Sequence, residues 1–330
     1  MNAITKKQNF TDISKTISQA EKILLVTHYS PDGDALGSLS AFYSWLRNQK
    51  KDTQLFVAEK IPVIFNFLPF MNQVENDWRN LLGHDYDLII ILDCGEEKRA
   101  GLTEYFSHLK LRPTIINIDH HQSNNSFGSI NLIDLESSSA AEIIAEFFIN
   151  QKVEFNKTIT TALLFGIMQD TEFLTHNNTS ERTIFLAGEL IKQGASLHRI
   201  ILSHKNNLPP HGLKLWGKIL SRLTFDEVTG LGITAIFLDD WQEDFSDDEI
   251  FGSLSNFLNS VNDVKGIMVL KEQTGNLVKG SLRTTKDEID VSLIAAKYGG
   301  GGHKRAAGFI TAGRIIKTEK NVWQVEKNNN

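Results

Sequence analysis

Cysteine is almost missing from this chain. The one residue of that type among 330, Cys94, rules out an intramolecular disulfide and fits a reducing, cytoplasmic compartment. No apolar run approaches the roughly 18 residues that a membrane-spanning helix needs. The opening segment Met1-Asn-Ala-Ile-Thr-Lys-Lys-Gln-Asn9 is polar where a signal peptide would be apolar. A cytoplasmic protein with no membrane partner is therefore expected. A basic surplus is absent too: 34 Lys and Arg stand against 40 Asp and Glu, a formal net charge of −6. That balance argues against a general nucleic-acid binder, whose affinity needs a basic surface to displace counterions. It leaves room for a small phosphorylated ligand, because bound metal ions supply positive charge locally. There is no internal repeat and no long low-complexity segment.

What is present has the balance of an ordinary globular protein, 41% hydrophobic and 22% charged, long enough for two domains. Three nearly continuous Val/Ile/Leu runs, Lys22 to Thr27, Asp87 to Leu92 and Thr114 to Ile118, read as strands buried on both faces. Such strands imply an α/β fold with a mostly parallel sheet flanked by helices. A further strand is expected over 53–58, and helices over 35–48, 141–150, 157–168 and 180–193. The double proline and glycine in Asn206-Asn-Leu-Pro-Pro-His-Gly212 interrupt the helical patterning. This places a first domain at 1–195, a linker at 196–212 and a smaller α/β domain at 213–330. In that second domain helices are expected over 213–223, 248–259 and 291–298, and strands over 232–238, 266–271 and 277–284. The four-glycine run from Gly299 follows as a loop, and the last residues, through Asn330, as a frayed end.

Each of the three apolar runs stops at a polar cluster. The first meets His28-Tyr-Ser-Pro-Asp32-Gly-Asp34, the second Asp93-Cys94, and the third Asp119-His120-His121; a fourth cluster, Gln169-Asp170-Thr171, follows the 157–168 helix. Each has an ordinary reading taken alone: a loop histidine, an Asp-Gly turn, an N-cap aspartate. Asp119-His120-His121 suits such a reading least, since three consecutive polar groups at a sheet edge all need partners. Four clusters together suit a hard divalent cation, which needs several carboxylate oxygens and a few imidazoles that no single loop can aim at one point. In a parallel sheet the ligand crevice lies outside the carboxyl ends of the strands, where three of these clusters fall.

Together, His28-x-x-Pro-Asp-Gly-Asp-Ala-x-Gly-Ser38, Asp93, Asp119-His-His-x-x-Asn124 and Asp170-Thr171 closely resemble the DHH phosphoesterase superfamily. Gly300-Gly-Gly-His303-x-x-Ala-Ala-Gly308 resembles the signature of its DHH-associated substrate-binding domain. Size and layout are most similar to the group of bifunctional oligoribonucleases (nanoRNases) and pAp phosphatases, and the segment Asn178-Thr179-Ser180 fits that group as well.

The resemblance implies two Mn²⁺ ions, one held by His28, Asp32 and Asp93 and the other by Asp34, Asp93, His120 and Asp170, with Asp93 bridging. Asp119 would orient an imidazole, and His121 would face the scissile phosphate. Two such cations lower the pKa of a shared water and neutralise the phosphate under attack. Arg283, Gly300, Gly301, Gly302 and His303 are implied to bind substrate, here short RNA oligonucleotides or pAp, and a homodimer is left open.

A cyclic-di-AMP or pApA phosphodiesterase is the nearest alternative. A RecJ-like exonuclease would need an additional nucleic-acid-binding domain, and an inorganic pyrophosphatase would lack the terminal glycine-histidine signature. The complete ligand set speaks against an inactive nucleotide-binding regulator. One departure stands out: Glu172 follows Asp170-Thr171 where many relatives carry glycine, which bears on substrate preference.

Overall fold

The computed structural model describes residues 3–205, 210–240 and 264–327, and the chain divides into two compact units, 1–207 and 208–330. In the first unit the order is α1 (Ala3–Gln19), β1 (Lys22–Thr27), α2 (Gly33–Asn48), β2 (Asp52–Phe56), β3 (Leu88–Leu92), α3 (Thr103–Ser107), β4 (Thr114–Asp119), β5 (Ile130–Ile133), α4 (Ala140–Asn150), α5 (Lys157–Asp170), α6 (Glu181–Lys192) and α7 (Leu197–Lys205). The five strands form one sheet in the order β2-β1-β3-β4-β5, and every neighbouring pair is parallel. Alternate residues of the apolar runs serve opposite faces. Ile23, Leu25, Ile90, Leu92, Ile116 and Ile118 belong to the core shared with α2, α4 and α5. Leu24, Val26, Ile89, Ile91 and Ile115 face a smaller core with Leu81, Tyr105 and Phe106. A sheet covered on both faces needs apolar residues at consecutive positions, so the expected α/β class is borne out.

This strand order reverses direction between β1 and β3. At such a switch point two neighbouring loops leave in opposite directions and open a crevice. His28 follows β1 and Asp93 follows β3, so both stand at that crevice. Helices α2 and α5 pack with backbone almost in contact: a Cβ built on Gly37 would lie 2.6 Å from the Ala162 carbonyl oxygen.

In the second unit α8 (Pro210–Ser221) precedes β6 (Thr224–Asp226), β7 (Leu231–Ile236), β8 (Gly266–Gln273), β9 (Leu277–Arg283), a short helix (Val291–Ala296), β10 (Gly301–His303), β11 (Ala306–Lys317) and β12 (Trp323–Lys327). Their sheet runs β10-β11-β9-β8-β7-β6, with β12 added to β11. Only β7 and β8 pair in parallel among the described strands.

Several expectations change. The described residues of the 196–212 segment are largely helical: α7 occupies 197–205, burying Ile200 against the first core, and α8 begins at Pro210. Proline is at home in the first turn of a helix, where its missing N–H is not needed, so Pro210 starts a helix rather than interrupting one. The 299–308 segment is a hairpin, not a loop, with Gly301 to His303 paired against Ala306 to Gly308. The C-terminal segment is strand β12 as far as Lys327, with Val325 buried. The sequence reading missed α1 and β5. The helix expected over 248–259 lies outside the described residues.

Candidate active site

His28 leaves β1 buried, and its Nδ1 lies 2.8 Å from the Tyr29 carbonyl oxygen. A carbonyl only accepts, so Nδ1 carries the proton and Nε2 presents a lone pair. That nitrogen is 3.5 Å from Asp93 Oδ2. Asp93 leaves β3 with φ +54 and its amide bonded to the Ile118 carbonyl, which turns its carboxylate back over the strand ends. Its other oxygen, Oδ1, lies 3.5 Å from His120 Nε2 and 3.7 Å from His121 Nδ1. Oδ1 is fully buried with no hydrogen-bond partner.

Asp32 caps α2, with one oxygen accepting from the Asp34 and Ala35 amides at 3.0 Å each. Asp34, in the first turn of α2, is fully buried. Its two oxygens accept from the amides of Ala140, at 2.6 Å, and Ala141, at 2.9 Å. Those are the first amides of α4, a helix end that favours negative charge. His120 Nε2 lies 4.0 Å from Asp34 Oδ2 and 3.2 Å from Asp170 Oδ2, at the end of α5. Asp119 points elsewhere: Oδ1 takes His121 Nδ1 at 2.7 Å and Oδ2 takes the Asn124 amide at 2.6 Å.

Three sets of potential ligand atoms lie within 4.8 Å of one another: His28, Asp32 and Asp93; Asp34, His120 and Asp170; and Asp93, His120 and His121. Separations of 3.5–4.0 Å between the imidazoles and the Asp93 and Asp34 carboxylates exceed a good hydrogen bond, and the 3.2 Å from His120 to Asp170 stands at its upper limit. Ligands about 2 Å from a common ion, at right angles, stand about 3 Å apart. A buried, unpartnered carboxylate oxygen between two such sets calls for a cation, so the residues fit divalent metal.

The electrostatics agree. Burial raises the Asp34 carboxyl well above the usual range, and Asp93 and Asp170 add to the rise. Burial also lifts Asp170, to about 7, against the pull of His120. Asp93 is buried as well, but the facing imidazoles of His120 and His28 outweigh that effect and hold its carboxyl below the ordinary value. Burial would lower His120, yet Asp93, Asp34 and Asp170 together raise it to about 10. Four crowded carboxylates thus draw positive charge to one point. His121 is raised as well, chiefly by its bond to Asp119.

All eight site residues expected in the first domain therefore meet at the switch point, with Asp119 behind His121 rather than among the potential ligands. Two supporting residues were missed. Asn117, buried in mid-strand, donates to the Ile91 and Cys94 carbonyls and accepts from Asn124, bracing Asp119 from behind. An asparagine inside an otherwise apolar β4 was the available signal. Glu142 is the other, fully buried in the first turn of α4. In the second unit Arg283 is exposed at the end of β9, paired in register with Ala306, and His303 is exposed in β10. A Cβ on Gly300 would meet the Gly308 carbonyl oxygen at 2.1 Å and one on Gly302 the Ala306 carbonyl at 2.6 Å, whereas Gly301 has nothing within 4 Å. Two of these glycines serve hairpin packing; Gly301 leaves its backbone open to a ligand.

A sheet-edge cluster of aspartates and histidines with this strand order defines a phosphoesterase of the DHH family, and the chain belongs to it: the family's N-terminal domain matches residues 22–167 and the DHHA1 domain residues 232–322. The chain is 30% identical over 291 residues to the bifunctional oligoribonuclease and PAP phosphatase NrnA of Thermus thermophilus, covering 88% of this chain and 84% of that one. It is 28% identical over 308 residues to the protein of the same name from Mycoplasma genitalium, covering 92% and 93%. An exopolyphosphatase-related protein from Bacteroides fragilis has the same fold, with a TM-score of 0.79 over 96% of this chain and 93% of that one at 24% identity. The family resemblance in the sequence is thereby borne out. Among the described residues no helix is long and apolar enough to cross a membrane.

Proposed function

We propose that this chain is a Mn²⁺-dependent phosphoesterase that degrades short oligoribonucleotides to mononucleotides and removes the 3′-phosphate of pAp. The observation that carries the reading is the buried, unpartnered Asp93 Oδ1 between two ligand sets; the names of the NrnA relatives supply the substrates. His28, Asp32 and Asp93 would hold one cation, and Asp34, Asp93, His120 and Asp170 the other. When bound, such a pair makes hydroxide available near neutral pH and neutralises phosphate charge. The protein's own groups do the rest. The Asp119 carboxylate holds Nδ1–H of His121 and favours the protonated ring, so Nε2–H is available to the oxygen that leaves when water attacks phosphorus and the P–O bond breaks. Arg283 suits a terminal phosphate through its planar guanidinium, and Gly300, Gly301, Gly302 and His303 supply the remaining substrate contacts, with the open Gly301 backbone in the lead.

Purified protein assayed with Mn²⁺ on pAp, a dinucleotide, a pentanucleotide and cyclic dinucleotides tests the reading. Turnover of pAp and the linear oligonucleotides, abolished by EDTA and restored by Mn²⁺, is expected. Turnover confined to cyclic dinucleotides would replace it with a cyclic-dinucleotide phosphodiesterase, and metal-independent activity would defeat it.

A further inference from the structure

Asn178 lies in the segment after α5, and its side-chain amide donates to two backbone carbonyls, those of Ser138 and Asp170, each at 3.1 Å. Its own oxygen lies 3.0 Å from His176 Nδ1. The first carbonyl belongs to the turn that opens α4, two and three residues before the Ala140 and Ala141 amides that grip Asp34. The second belongs to Asp170 itself. One amide thus ties together the backbones that set the positions of two carboxylates 136 residues apart in sequence. The same turn is held from its other side by the buried Glu142, whose Oε2 accepts from the Ser138 amide at 3.0 Å, the Ser138 hydroxyl at 2.5 Å and the Thr183 hydroxyl at 2.9 Å. Arg182 stands 3.2 Å from the other oxygen of Glu142.

We infer that Asn178 is a positioning residue for the second cation: it locks Asp170 to the turn that fixes Asp34, so both carboxylates keep one spacing. The inference rests on the two-cation reading of the site. Asp34 needs little help, since both its oxygens are held by amides. Asp170 has no such grip. It ends a helix, its side chain is 27% exposed, and beyond Thr171 the residues Glu172, Phe173 and Leu174, with φ of +46 to +67, turn the chain sharply away. A carbonyl at a helix end has no partner inside the helix, so a capping role alone would explain one of the two bonds. The second bond, to Ser138, explains itself only if the distance between the two segments matters. Groups that orient ligands in this way typically govern metal affinity about 10- to 100-fold.

The test titrates metal-free full-length protein with Mn²⁺ by calorimetry, beside Asn178→Asp, which keeps the shape but replaces donor by acceptor, and Asn178→Ala, which removes the amide. Asp170→Asn identifies which binding event is the second. In both Asn178 variants the second event is expected to weaken about 10- to 100-fold while the first stays within about twofold, and turnover lost at limiting Mn²⁺ is expected to return at excess. Either variant that folds suffices. Two unchanged events, or equal weakening of both, would overturn the positioning role in favour of plain structural support. A single Mn²⁺ bound by the wild-type protein would instead defeat the two-cation reading, and the inference with it.

Discussion

At the scale of single residues, two backbone conformations decide which substitutions are informative. Asp93 sits in the left-handed region at φ +54, which asparagine tolerates far better than alanine. Asp93→Asn therefore removes the charge between the two ligand sets without adding backbone strain. Turnover should fall by orders of magnitude while the circular dichroism spectrum is retained; a folded variant with near-wild-type turnover would rule out the bridging role. Glu172 has φ +46, and Phe173 and Leu174 continue at +61 and +67. The turn is closed by Thr171, whose hydroxyl donates to the Ile167 carbonyl and accepts from the Leu174 amide. An L-residue in the left-handed region costs about 1–2 kcal/mol, partly offset because glycine loses more chain entropy on folding. Glu172→Gly should thus stabilise the protein by about 0.5–1 kcal/mol, read as a higher Tm, and a lower Tm would contradict the conformation described. The residue that departs from the family pattern occupies a position where glycine is the comfortable choice.

At the scale of elements, α2 and α5 carry Asp34 and Asp170, and their close approach depends on glycine. A Cβ on Gly37 would press on the Ala162 carbonyl oxygen at 2.6 Å and the Gly166 nitrogen at 3.0 Å, which are backbone and cannot swing aside. Gly37→Ala should cost about 1–3 kcal/mol and weaken Mn²⁺ binding as the helices part. Gly188, inside α6 with nothing within 4 Å of a built Cβ, is the control. Its change to alanine should stabilise by about 0.5–1 kcal/mol and leave Mn²⁺ affinity alone. A calorimetric titration and a melting curve on each variant check both, and equal effects would argue against close helix contact as the cause. The elements that build the site were the ones the sequence disclosed best, for a physical reason. A strand buried on both faces writes an unbroken apolar run, and a polar residue at its end is conspicuous. Helix α1 was less visible, since Phe10, Ile13 and Ile17 make its buried stripe within an otherwise polar segment. The short β5, Ile130-Asn-Leu-Ile133, has no length to show a period. Ser139 caps α4 by accepting from the Glu142 amide at 3.0 Å. That the following amides would hold an aspartate 106 residues earlier is a tertiary fact that local pattern does not carry. Asn178 was visible as part of a family-like segment, but its bond to Ser138 was not.

At the scale of the whole molecule, the proposed function makes charge the expected selector of substrate length. The chain carries a formal net charge of −6, and each nucleotide added to an oligonucleotide brings another negative phosphate. Long single strands are held by grooves that track the backbone with positive charge and by stacked aromatic residues, and an acidic chain opposes rather than supplies that attraction. Only the phosphates beside the proposed cations escape the repulsion, so binding should favour substrates with few phosphates beyond them. Activity on 5′-phosphorylated RNA should fall steeply between roughly five and about two dozen nucleotides, a contrast drawn from this electrostatic opposition. Salt separates this cause from a purely steric limit. The screening length shortens from about 30 Å at 0.01 M to about 10 Å at 0.1 M, so adding salt should narrow the gap between short and long substrates if repulsion sets it, and leave it unchanged if shape does. Initial rates with Mn²⁺ fixed, measured for both lengths across that range, decide the matter. Rapid digestion of long strands at low salt would remove charge as the selector.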